Sequence, residues 1–265
     1  SCTAALEMSA IALRLKPGDE IIMPSYTFSS SASAFVLRGA IPVFIDVRKD
    51  TLNIDESLIE DAITSNTKAI LVVHYAGVAC EMDKIMHIAS KYNIPVIEDA
   101  AQAVMSSYKG KALGSIGGMG AYSFHSTKNI ISGEGGALLI NDKNFLDTVE
   151  VIREKGTDRS KFLRGEVDKY TWQDVGSSFL PSEITSAFLL SQLENANEIT
   201  NTRLKIYENY FHLFEGLESK NIIHRPKITK DSSHNAHIFY IMLNDSVNRG
   251  ELIAQLKEKG IYCTS

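Results

Sequence analysis

A chain of 265 residues, 44% hydrophobic and 22% charged, has the apolar content of a globular α/β protein with one large core. A formal net charge of −5 argues against nucleic acid or an anionic membrane surface as the main partner, and no apolar run approaches the ~20 residues that span a bilayer. The three cysteines (Cys2, Cys80, Cys263) lack metal-binding spacing and their odd count suits reduced thiols in a cytoplasm, while the seven histidines show no zinc pattern, so no metal is expected.

The chain opens as a helix, SCTAALEMSAIAL, with Ser1 or Thr3 as its cap. EIIMP (20–24) reads as a strand after a Pro-Gly-Asp turn, SSASAFVLRG as a helix ended by Gly39, and IPVFIDV (41–47) as a strand. DESLIEDAIT spaces Leu58, Ile59, Ala62 and Ile63 as a helix face with an acidic first turn. KAILVVH (68–74) is a strand, EMDKIMHIASKYN a helix, and IPVIEDA (94–100) a strand. This alternation predicts a mainly parallel sheet covered on both faces. GAYSFH (120–125) and GGALLIN (135–141) are two strands whose short connection suggests a local, hairpin-like return.

From about residue 142 the texture changes. DKNFLDTVEVIREKG reads as a helix ended by Gly156, residues 157–180 as a long polar functional loop, and a helical stretch follows Pro181 to about 216. NAHIFYIMLN (235–244) is a predicted strand and NRGELIAQLKEKG a predicted helix. We expect a large domain over 1–215 and the start of a smaller α+β domain over 216–265. Both ends look cut, since the chain opens inside a helix and stops as a strand begins after Gly260; the expectation is the middle of a longer chain.

Two features carry chemistry when they occur together. Asp99 closes the buried strand PVIEDAAQA, and ligands of open α/β sheets sit beyond the carboxyl ends of strands. Lys128 lies in SFHSTKNIISGEGG, a run of small polar residues and glycines leaving another strand. A carboxylate there can hold a protonated pyridine nitrogen, and pyridoxal phosphate also needs a lysine amine. Partial desolvation keeps such an amine neutral and nucleophilic. Gly133, Gly135 and Gly136 allow a tight turn and a close approach to a ligand. The glycines do not form a phosphate-binding Walker loop, because no Gly-Lys-Ser/Thr follows and the next element is a strand. Taken singly, Asp99 reads as a cap or turn residue and Lys128 as a solvated side chain.

PVIEDAAQA and, some thirty residues on, SFHSTKNIISGEGGALLIN resemble the signature of the sugar-nucleotide aminotransferases, the DegT/StrS group within the aspartate aminotransferase fold. PGDEIIMPSYTFSSSASAFVLRGAIPVFIDV and VVHYAGVACEMDKI are similar in the same order, so the resemblance covers nearly the whole chain. EKGTDRSKFLRGEVDKYTWQDVGSS looks like the dTDP-4-amino-4,6-dideoxygalactose transaminases of enterobacterial surface-polysaccharide pathways.

The resemblance implies a fold type I enzyme dependent on pyridoxal 5′-phosphate. It would move an amino group from L-glutamate to C4 of a dTDP-linked 4-keto-6-deoxy sugar, for lipopolysaccharide or enterobacterial common antigen precursors. It implies Lys128 as the Schiff-base lysine and proton shuttle, Asp99 on the pyridinium nitrogen, Gln102 on the ring hydroxyl and Phe28 against the ring face. Thr3, Ala4 and Ser123 would bind the phosphate. His125 and His74 are candidates for substrate contact, each equally readable as a histidine satisfied by backbone partners. It implies a homodimer with active sites at the seam. The family's Gly-x-Asn-x-Arg motif is here GSSFL, with Ser178 in the place of the Asn that reaches the neighbouring subunit's phosphate and Leu180 in the place of the Arg. Arg159, Lys161, Arg164, Lys169, Tyr170 and Trp172 in the 157–180 loop are candidates for nucleotide contact. A sugar dehydratase of the same fold, whose branch replaces the lysine with histidine, and a non-catalytic relative, which would have lost Lys128 or Asp99, are the competing readings.

Overall fold

The computed structural model describes residues 1–264. Helix α1 (Cys2–Ala12) uses Ser1 as its cap: the Ser1 hydroxyl accepts the Ala4 N–H at 3.1 Å. Then follow β1 (Glu20–Pro24), α2 (Ser29–Val36), β2 (Ile41–Ile45), β3 (Thr67–Val73), α3 (Met82–Tyr92) and β4 (Val96–Asp99). Two short strands, β5 (Ser107–Tyr108) and β6 (Lys111–Ala112), precede β7 (Met119–Ser123) and β8 (Gly136–Ile140). The predicted helix over 55–64 is instead two 3₁₀ turns, Glu56–Leu58 and Glu60–Ala62. Asp55 caps the first turn, and Ile59 is fully buried while Leu58 is exposed. Buried Ile59 and buried Glu56, the latter accepting from Arg48 and Lys84, anchor the segment, so it does not need a helical face.

The main sheet has the order β2-β1-β3-β4-β7-β8. Every pairing is parallel except β7–β8, which is antiparallel, as expected from the short return between them. Alternating side chains serve two cores. Ile21, Met23, Leu71 and Ile97 point to the layer of α1, α2 and the later helix α4, where Leu6, Ala10 and Phe35 meet them. Ile22, Ile70, Val72 and Val96 point to the other face, where Met82, Ile85 and Ala89 of α3 cover them. The near-continuous apolar strands follow from burial on both faces.

The remaining elements are α4 (Leu146–Arg153), α5 (Arg159–Leu163), α6 (Glu183–Glu194), α7 (Ala196–Leu213), α8 (Glu215–Ser219), β9 (Ile223–His224), β10 (Ser232–Ser233), β11 (Met242–Leu243) and α9 (Arg249–Glu258). The 157–180 loop thus contains a short helix, and isolated bridges pair Glu154 with Ser178 and Thr157 with Trp172. The long helical stretch breaks at Asn195. Of the predicted strand 235–244 only Met242–Leu243 pairs, with β9. Its first residues are held by side chains: Asn235 Nδ2 donates to the Gln102 and Val104 carbonyls, and Arg203 donates to those of Ala236 and His237. Residues 261–264 carry no regular structure where a strand was expected.

Candidate active site

Strands β4 and β7 lie side by side, with Asp99 in register with Ala121. Their carboxyl ends therefore deliver Asp99 and the turn after β7 to the same edge of the sheet, where an open α/β sheet holds ligands. That turn, residues 124–135, is closed by hydrogen bonds from Phe124 N–H to the Gly135 carbonyl and from Ser126 N–H to the Gly133 carbonyl. Gly133 has a φ of +81°, which a side chain resists. Gly136 serves a different purpose from the ligand approach expected of it: a Cβ there would collide with the Ser1 backbone, so its bare Cα lets the start of α1 lie against β8.

The result is a cavity of about 700 Å³, within the usual size of a cofactor site. Asp99, Lys128, Gln102, Ser123, His125, Phe28 and Thr3 all line it, although they come from segments as far apart as residues 3 and 128. Asp99 is buried and accepts from Ser31 Oγ at 2.7 Å and from Ala101 N–H at 3.1 Å. Burial raises its pKa above the ordinary carboxylate value, opposed by those two donors and by Lys128. Burial also lowers the pKa of the half-buried Lys128 amine, opposed by Asp99 and Cys2. The lysine is thus more readily neutral than a surface lysine.

Phe28 is 75% exposed, so core packing does not account for it; its ring stands at the cavity. Gln102 Oε1 accepts the Ala76 N–H at 2.6 Å, and its amide nitrogen takes no partner among the described residues. The Thr3 hydroxyl donates to Ser30 Oγ at 3.0 Å. Ala4 does not line this cavity, and its N–H is committed to Ser1. The Cys2 and Thr3 N–H groups remain without an acceptor inside the helix, and a helix N-terminus favours an anion. His125 sits at the rim: its Nδ1 accepts the Thr127 N–H and its Nε2 faces Glu134 at 3.4 Å. Ser178 is exposed and lies outside the cavity, its backbone bridged to Glu154.

His74 does not reach the cavity. It is fully buried, with Nε2 2.9 Å from Glu98 Oε2, and its Nδ1 accepts the Cys80 N–H. The ring proton therefore sits on Nε2 and is given to Glu98. Burial alone would raise the Glu98 pKa, but His74 and the N–H groups of Gly117 and Gly114 outweigh it and hold the carboxyl below its usual range. This pair fastens the 114–117 turn behind the strand that carries Asp99. In the 157–180 loop, Arg164 is taken up by Glu150 and Glu166, and Arg159 pairs with Glu154. Tyr26, Thr27, Ser31, Tyr75 and Cys2 line the cavity as well and were missed in the sequence. The hydroxyl run TFSSS, just after a strand end, is the signal that could have found Thr27 and Ser31.

Residues 1–265 match the DegT/DnrJ/EryC1/StrS aminotransferase family. The chain belongs to this family. Its members are sugar aminotransferases of fold type I that depend on pyridoxal phosphate, and pyridoxal phosphate is the cofactor of this chain. A GDP-perosamine synthase from Caulobacter vibrioides is 33% identical over 261 residues, 98% of this chain and 68% of that protein. The aminotransferase from Psychrobacter cryohalolentis superposes with a TM-score of 0.93 at 31% identity, over 99% of this chain and 70% of that one. The E. coli GDP-4-keto-6-deoxy-D-mannose-3-dehydratase with bound hydrated PLP superposes with a TM-score of 0.88 at 25% identity, over 100% of this chain and 71% of that one.

The residues present fit the cofactor. The cavity joins a buried carboxylate able to hold a pyridinium proton, a partly desolvated primary amine, an exposed aromatic ring and a capped helix N-terminus with neighbouring hydroxyls. Among the described residues no cluster of three or more His, Cys, Asp or Glu is arranged for a metal ion, and no helix is long and apolar enough to cross a membrane.

Proposed function

We propose that the protein transfers an amino group from L-glutamate to C4 of a 4-keto-6-deoxy sugar nucleotide, dTDP-linked, for the precursors of a surface polysaccharide. The observation that carries the reading is the convergence of Lys128 and Asp99, from two adjacent strands, on one cavity. When bound, pyridoxal phosphate supplies an electron sink for the carbanionic character that develops at the reacting carbon. The chain supplies the rest. Asp99 holds the proton on the ring nitrogen, and its hydrogen bonds from Ser31 and Ala101 keep it charged for that task. The start of α1, with Thr3 and Ser123, holds the phosphate; Phe28 covers one ring face and Gln102 addresses the ring hydroxyl. Lys128 Nζ takes the proton from the α-carbon of the amino donor, and returns one to the sugar carbon in the second half-reaction. His125, at the rim, is the proposed contact for the incoming substrate.

Lys128 weighs against the dehydratase reading, since that branch carries histidine in its place. A second copy of this chain is the proposed partner, bringing its Ser178 and the 157–180 loop to the seam. Arg164, held by Glu150 and Glu166, and Arg159, paired with Glu154, leave Lys161, Lys169 and Trp172 as the better candidates for nucleotide contact. Exposed Ile184 and Phe188, four residues apart on one side of α6, supply an apolar face for such a partner. The deciding experiment incubates the full-length protein with pyridoxal phosphate, L-glutamate and a panel of 4-keto-6-deoxy sugar nucleotides, and reads the products by NMR. A 4-amino sugar with stoichiometric 2-oxoglutarate is expected. Loss of a sugar hydroxyl with no nitrogen incorporated would overturn the reading.

A further inference from the structure

The first turn of α2 carries two consecutive serines with different partners. Ser30 Oγ accepts from Thr3, at the start of α1, whereas Ser31 Oγ donates to Asp99 Oδ2. Ser31 is fully buried. A hydroxyl has one proton, and Ser31 gives its proton to the carboxylate. The 2.7 Å contact between Thr27 Oγ1 and Ser31 Oγ therefore has a fixed direction: Thr27 donates and Ser31 accepts. Thr27 stands just before Phe28, the cap of α2, and its hydroxyl meets Ser31 in the first turn. Thr27 itself lines the cavity.

We propose that Thr27 and Ser31 form a directed hydroxyl chain that keeps Asp99 ionised and aimed at the cofactor's ring nitrogen, making both positioning residues for the transamination. The proposal rests on the pyridoxal phosphate reading of the cavity. A carboxylate this deeply buried needs donors to remain charged, and the other contacts to Asp99 are weaker. Ala101 N–H donates to Oδ1 at 3.1 Å, and the Cys2 thiol lies 3.9 Å from the same oxygen. Oδ2 has Ser31 as its side-chain donor. Accepting from Thr27 polarises the Ser31 hydroxyl and strengthens what it donates. The segment 27–31 thereby couples the ring face, through Phe28, to the ring nitrogen, through Ser31.

The test compares pyridoxal phosphate with its 1-deaza analogue, in which carbon replaces the ring nitrogen, by measuring dissociation constants for Ser31→Ala, Ser31→Thr and Thr27→Val. Ser31→Ala should weaken pyridoxal phosphate by about tenfold, the loss of one hydrogen bond to a charged group, and leave the analogue unchanged. Thr27→Val should act in the same direction by roughly two- to threefold, and Ser31→Thr should restore the wild-type preference. The pH at which the bound cofactor's visible absorption changes should move in Ser31→Ala and return in Ser31→Thr. Equal weakening of both ligands, or no change, would overturn the chain while leaving the cavity reading intact. A wild-type protein that binds both ligands equally would overturn Asp99's role and this proposal together. Thr27→Val, near isosteric and at the cavity wall, keeps the proposal testable if Ser31→Ala fails to fold.

Discussion

Helices α1 and α6 are both rich in apolar residues, yet α1 buries seven of its eleven residues and α6 none of its twelve. Helix α1 is pressed between α2, α4 and β8, with Leu6 1% exposed; on α6, Ile184 is 85% exposed and Phe188 50%. Apolar composition says that a helix will be covered, not what covers it. The sheet half of the chain provides its own cover and gathers the chemistry, while the helical half exposes apolar side chains, the face proposed above for a second copy.

The largest effect expected in the covered half touches chemistry and not folding. Lys128→Ala should abolish transamination while the unfolding midpoint stays close to wild type, because the half-buried amine supports no packing in the core; steady-state kinetics and thermal unfolding check this. Retention of full turnover would defeat the assignment. Leu6→Ala should lower stability by about 2–5 kcal/mol, as deletion of a fully buried side chain does, read by denaturant unfolding. Ile184→Asp should leave monomer stability within about 0.5 kcal/mol but shift self-association to higher concentration, seen by sedimentation. If Ile184→Asp instead unfolds the chain, the contrast between the two helices fails.

The last effect probes the join between the halves. His237 Nδ1 lies 2.8 Å from Asn129 Oδ1, next to Lys128, and burial, with the Lys128 and Arg203 cations, lowers its pKa to about 3. Unfolded, the ring titrates near 6.5. Between these values the unfolded chain takes up a proton that the folded chain refuses. Stability from this group is therefore full above pH 6.5 and falls as pH drops towards 3, by at most about 1.4 kcal/mol per pH unit. His237→Gln should flatten the fall in Tm between pH 7 and 4. An unchanged slope would remove His237 from the acid response.

The parallel sheet was legible because each strand is an apolar run bounded by turn signals, and the shared placement of Asp99 and Lys128 at one sheet edge because each sits where such a run ends. The 55–64 segment misled because its apolar spacing fits a helix face, whereas buried Ile59 and the ion-paired, buried Glu56 hold two 3₁₀ turns. Residues 235–240 misled for the opposite reason. A strand-like composition is held there by Asn235 and Arg203, not by a ladder. His74 read equally as a substrate contact or as a histidine satisfied by backbone partners, and the partner that decided it, Glu98, lies 24 residues away in the interior.

What the sequence determined by itself was local: the alternation of elements, the carboxylate closing one strand, and the lysine in a turn after another. Periodicity and turn chemistry act over a few residues, so a linear reading captures them. What only the tertiary structure decided was partnership. Ser31 meets Asp99 across 68 positions, the bare Cα of Gly136 receives the start of α1, and His237 comes to rest beside Asn129. Those contacts depend on strand register and on which surfaces the packed layers bring together, and no short window of sequence encodes either.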